Sequence, residues 1–225
     1  MARARDIISR QYDKPESKHG ATRSTLFGKF YERILARWLE EKRLCTLRRW
    51  PDKRVNKPTI YWKEVSAEGL DFGEHEKLRV GMVFSLNSKV SHCTPDGVFE
   101  KDGQYYIWEA KNWPLYPEKG PKDQILNYMK LNPWVLANSF ELQGAQYNIS
   151  GFWFSYWSNS ERDRDEIREA QRVINSIIGN GRLDIILTDE VLDDCIVSRY
   201  PWYTEIIEQE KADVEQFFRQ LLGRV

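Results

Sequence analysis

The chain has 225 residues, 41% of them hydrophobic and 13% aromatic, which is enough to close a core without disulfide or metal staples and too much for a disordered chain. Thirty-four basic residues balance thirty-four acidic ones, so a protein that coats nucleic acid through bulk positive charge is excluded. No apolar run reaches the roughly 18–20 residues of a membrane span, and the first residues do not lead into an apolar signal core; a cytoplasmic protein with no membrane partner is expected.

The neutral total hides an asymmetry. Residues 1–63 carry 17 basic and 7 acidic side chains, whereas residues 161–225 carry 9 and 15. The basic third is either a phosphate-facing footprint or a solvated surface. The three cysteines, Cys45, Cys93 and Cys195, are odd in number and widely separated. They supply neither a disulfide framework nor four thiolates for a metal cluster, and buried reduced thiols are expected.

In chain order, residues 1–22 contain Arg3, Arg5, Arg10, Lys14 and Lys18 without periodicity and read as a flexible basic arm. Residues 23–225 read as a single domain. From Ser24 to about Arg43, Leu26, Phe27, Phe30, Ile34, Trp38 and Leu39 recur at helical spacing. The segments Thr59–Trp62 and Arg79–Phe84 look like strands. Thr94–Phe99 and Tyr105–Lys111 flank Asp102-Gly103, a strong hairpin signal. A helix is expected from about Pro121 through Met129, a strand over Ile149–Trp157, a helix with Ile167, Ala170, Val173, Ile174, Ile177 and Ile178 on one stripe, and a strand at Leu183–Leu187. A last helix would turn Ile206, Ile207, Val214 and Phe217 inward. This alternation describes an α/β fold, a mixed β-sheet flanked by helices on both faces.

A two-residue loop at Asp102-Gly103 sets the register so that Asp96 faces Glu109. Side chains alternate along a strand, so Lys111 shares the face of Glu109, with Val98 and Ile107 beneath them. Two facing carboxylates repel unless a positive group sits between them. A hard divalent ion, Mg²⁺ or Mn²⁺, fills that role with one or two carboxylates, and the carbonyl of Ala110 could add a third oxygen. Lys111 would stand beside the ion, placed for phosphodiester hydrolysis.

Pro95-Asp96, followed thirteen positions later by Glu109-Ala110-Lys111 on a hairpin, resembles the PD-(D/E)xK signature of the restriction-endonuclease-like nuclease superfamily. Gly28 to Glu32 on the first helix is similar to the GxxxE element of RecB-like nucleases and Holliday-junction resolvases. Gln124 to Tyr128 is similar to the QxxxY element of RecB-like and CRISPR-adaptation exonucleases. The resemblance covers residues 28–128 and implies a restriction-endonuclease-like core and a metal-dependent endo- or exodeoxyribonuclease. It further implies Asp96 and Glu109 as metal ligands, Glu32 as a further ligand, Lys111 as catalytic lysine, and Gln124 and Tyr128 as phosphate-binding residues. An iron–sulfur cluster is not expected, because its four cysteines are not there. DNA is the implied partner, with a homodimer or a separate helicase as further possibilities. A junction resolvase and a non-catalytic DNA-binding subunit are the rival readings.

Other features have ordinary explanations beside the chemical ones. Glu32 could pair with Lys29 or Arg33 as an exposed helix acid. His92 could be a water-mediated ligand or a plain surface histidine. The cluster Asp71, Glu74, His75 and Glu76 has no metal-ligand template. Trp113 could stack on an unpaired base or pack in the core.

Overall fold

The structure is a computed structural model that describes residues 23–48, 60–63, 65–87, 92–111, 119–142, 144–158, 160–179 and 181–222. The basic arm expected over residues 1–22, and Trp113, lie outside them. The chain forms two compact units, one from Trp38 to Val191 and one from the segments before Trp38 and after Val191.

Among its described residues the larger unit carries eight strands: β1 (Thr46–Leu47), β2 (Ile60–Lys63), β3 (His92–Cys93), β4 (Gly97–Lys101), β5 (Gln104–Lys111), β6 (Ser139–Leu142), β7 (Ala145–Tyr156) and β8 (Leu183–Leu187). Their order in the sheet is β1-β4-β5-β7-β6-β2-β3, and β8 pairs with β7. The strand β7 holds this mixed sheet together. Residues 145–148 run antiparallel to β6, and from Ile149 onward β7 runs parallel to β5 and then also to β8. Where the register shifts, Gly151 is required: a Cβ there would come within 2.9 Å of the Arg182 carbonyl oxygen.

The β4–β5 hairpin has the expected register, Lys101 opposite Gln104 through Gly97 opposite Trp108. Its two-residue turn needs positive φ at both positions, and Asp102 and Gly103 adopt 52° and 74°.

Helices cover one face of the sheet: α2 (Glu76–Asn87), α3 (Pro121–Leu131) and α4 (Glu161–Ile178). Pro121 starts α3 where a missing N–H costs nothing. Ser160 caps α4 by accepting the Asp163 N–H at 3.2 Å, and the isoleucine-rich stripe anticipated from the sequence is buried. Val98, Ile107, Ile125, Met129, Phe152, Phe154 and Ile174 share the resulting core. On the opposite face Phe99, Trp108 and Trp153 pack together, Trp108 Nε1 donates to Ser155 Oγ at 2.9 Å, and the Arg43 guanidinium lies 4.7 Å from the Trp153 ring centre. Arg43 is the last residue of α1 (Arg23–Arg43), so the end of that helix reaches this face through its guanidinium.

Two expectations fail here. Arg79–Phe84 is helical, inside α2, because Leu78, Met82 and Ser85 are buried at helical spacing while Val80 and Phe84 face solvent. The β-branched and aromatic residues that suggested a strand are therefore overruled by tertiary packing. In the smaller unit, α5 (Thr188–Ser198) runs on from the larger one and precedes α6 (Pro201–Leu222), on which Val214 is 38% exposed rather than inward. Ile34, Leu35 and Cys195 are buried there.

Phe152 is 1% exposed and packs 5.3 Å from Trp134. Replacing it with Ala should cost about 3–5 kcal/mol of unfolding free energy, read from urea melts. A loss under about 1 kcal/mol would contradict the core described here.

Candidate active site

The site lies where the hairpin ladder stops. Continued by two rungs, the register would set Pro95 against Ala110, and Pro95 has no N–H to offer the Ala110 carbonyl. The Ala110 N–H goes to a side chain: the Asp96 Oδ2 accepts it at 2.7 Å. In a strand the N–H and C=O of one residue point to the same side, so the Ala110 carbonyl opens toward Asp96 as well. The Pro-Asp dipeptide thus ends the pairing and directs a carboxylate to the place where the ladder ends.

Strand alternation sets Glu109 and Lys111 on the face of Ile107, under α3. Glu109 is 9% exposed. Its Oε1 accepts from Lys111 Nζ and, at 2.9 Å, from the Tyr128 hydroxyl on α3. The Tyr128 ring stacks on Phe154, the β7 neighbour of Glu109, with centroids 5.1 Å apart. The Lys111 ammonium stands 5.4 Å from the centre of that same ring. Tyr128 therefore holds both the acid and the lysine.

Burial pushes the Glu109 carboxyl above its ordinary value, and the Asp96 charge pushes it further; the Lys111 ammonium and the Tyr128 hydroxyl pull it back without cancelling the rise. Two carboxylates converge in a poorly hydrated corner, with the Lys111 ammonium on Glu109 and a carbonyl opening toward Asp96. This all-oxygen donor set fits a hard divalent ion such as Mg²⁺ or Mn²⁺.

Gln124 is held by two hydrogen bonds. It is 4% exposed, its Oε1 accepts from the Tyr156 hydroxyl at 3.0 Å, and its Nε2 donates to the Lys119 carbonyl at 2.7 Å. Tyr156 ends β7 directly beside Lys111, and burial pushes its phenol up to about 12. Gln124 thus ties the start of α3 to the end of β7, which fixes the helix that carries Tyr128. Sequence reasoning missed Tyr156. Its only signal is its place at the end of an aromatic strand, which means nothing until β7 is known to run parallel to β5.

Glu32 is half-buried on α1 in the smaller unit and is described there alone. His92, on β3, pairs with Tyr61 of β2; β3 is the last strand of the sheet order, four strands from β5. The Asp71–Glu76 segment forms a turn leading into α2, with Asp71 Oδ1 accepting the Gly73 N–H at 2.8 Å and Glu76 paired with Arg79. No family model, curated protein or solved structure matches the chain.

Because folding raises the Glu109 pKa, this carboxyl adds to stability below its ordinary value of 4.5 and that contribution is lost as pH climbs through the raised value. The metal-free Glu109→Gln variant should therefore melt higher than the parent at pH 7, with the gap closing below pH 4.5. A variant that melts lower at pH 7 would show that the ion pair with Lys111 outweighs burial.

Proposed function

We propose that the chain is a Mg²⁺- or Mn²⁺-dependent deoxyribonuclease with a PD-(D/E)xK site on a restriction-endonuclease-like core. The observation that carries this reading is the convergence of Asp96, Glu109 and Lys111 at the open end of one hairpin, in the order and spacing that the signature requires. The α/β architecture and the excess of basic residues over 1–63, suited to a polyanionic substrate, support it.

In this reading Asp96 and Glu109 hold the divalent ion, with the Ala110 carbonyl as a further oxygen. Such an ion, when bound, acidifies water and draws charge from a phosphodiester oxygen. Asp96 is anchored through Ala110 N–H and Glu109 through Tyr128, so neither has to reorganise as charge develops. The Lys111 ammonium, on a flexible stem beside them, faces the scissile phosphate and neutralises the charge that builds on its oxygens. Water oxygen bonds to phosphorus, the ester P–O bond breaks, and the leaving oxygen takes a proton. Glu32 is the candidate for a further ligand, as the resemblance to GxxxE nucleases implies. Tyr128 and Gln124 act by holding the machinery in place.

Incubation with an end-labelled linear duplex and a closed circle, with Mg²⁺ or Mn²⁺, tests the proposal. Cleavage should vanish with a chelator and with Asp96→Asn, and fall by roughly 10²–10⁴-fold with Lys111→Ala. Loss of label from ends alone marks an exonuclease, and linearised circle an endonuclease. No cleavage of either substrate, or cleavage that survives both substitutions, would remove the proposal.

A further inference from the structure

The Lys111 ammonium sits on the same carboxylate that is assigned to the divalent ion. Two carboxylates brought this close in a buried corner need a cation, and Lys111 brings one to Glu109. An ammonium on a four-carbon stem is a mobile point charge. The Lys111 side chain is 29% exposed, so it has a way out. In that same position the ammonium stands 5.4 Å from the centre of the Tyr128 ring, whose face offers it a further favourable contact. The Tyr128 hydroxyl holds the Glu109 oxygen independently, so the carboxylate keeps its orientation when the lysine leaves.

We infer that Lys111 is the resident cation of the site, in exchange with the divalent ion for Glu109: it closes the site when no ion is present and is released toward the substrate phosphate when one binds. This rests on the ion site proposed above and adds to it a coupling, in which ion binding and release of the catalytic ammonium are one event. It also implies that the chain binds its ion more weakly than its carboxylates alone would allow, because each ion has to displace a lysine first.

Ion binding and catalysis therefore respond oppositely to loss of the lysine. Lys111→Met keeps the stem and removes the charge. Mn²⁺ binding, followed by calorimetry or by the paramagnetic signal of free Mn²⁺, should tighten by roughly tenfold in this variant while cleavage is lost. Asp96→Asn should abolish binding in both backgrounds. Absence of Mn²⁺ binding from the parent and from Lys111→Met alike would remove the ion site itself. Binding to the parent that is Asp96-dependent but equal or weaker in Lys111→Met would leave the site standing and overturn the exchange. A measurement on the unaltered chain covers the case in which the variant does not fold: amine acetylation read by mass spectrometry. Mn²⁺ should speed labelling at Lys111 severalfold relative to Lys101, which lies at the turn end of the same hairpin. Unchanged or slower labelling at Lys111 would likewise overturn the exchange.

Discussion

The site depends on one unfavourable juxtaposition: a nearly buried glutamate held next to an aspartate. In an ordinary sheet, facing carboxylates are selected against because they repel and lose hydration. Here the hairpin register, fixed by a turn that admits only residues with positive φ, leaves Glu109 no other place. Pro95 offers no N–H to carry the ladder past that level, and Asp96 turns its carboxylate onto the Ala110 N–H. The charge is compensated by Lys111 and Tyr128, but incompletely, since the Glu109 carboxyl remains above its ordinary range. In the proposed reading a divalent ion completes that compensation.

The remainder of the larger unit secures that corner. The strand β7 lies parallel to β5, so Phe154 and Tyr156 fall beside Glu109 and Lys111. Phe154 provides the surface on which Tyr128 stacks, and Tyr156 fixes Gln124, which in turn fixes the carbonyl of Lys119 just before α3. The hydroxyl of Tyr128 reaches its acid because a strand and a helix that are far apart in sequence are joined at two points. The opposite face contributes rigidity: Trp108 bonds to Ser155 and lies against Phe99, so β5 is locked to β4 and β7 at the level of the site.

Much of this was legible in the sequence where local chemistry dominates. Asp102-Gly103 announced both the turn and the register, and the register alone placed Asp96, Glu109 and Lys111 together. The stripe on α4 and the apolar run of β8 were equally plain, since their periodicities are long or unmixed. The misread segments have a common cause. Arg79–Phe84 has strand-like composition, yet it is too short to reveal a period once Gly81 interrupts it, and α2 forms because Leu78 and Met82 have a core to enter. Likewise Gln124 and Tyr128 share a helix face by spacing, but only the β7 pairing shows that one faces Tyr156 and the other Glu109. Non-local strand pairing is what a single sequence conceals, and the roles of these two side chains are decided there.

The account requires one cation position between Asp96 and Glu109. Diffraction from Mn²⁺-soaked crystals, at a wavelength where manganese scatters anomalously, locates that position directly. The account predicts a peak within about 2.5 Å of an oxygen from each carboxylate, with the Lys111 ammonium moved off Glu109. A peak elsewhere, or no peak with Lys111 still seated on Glu109, would contradict it.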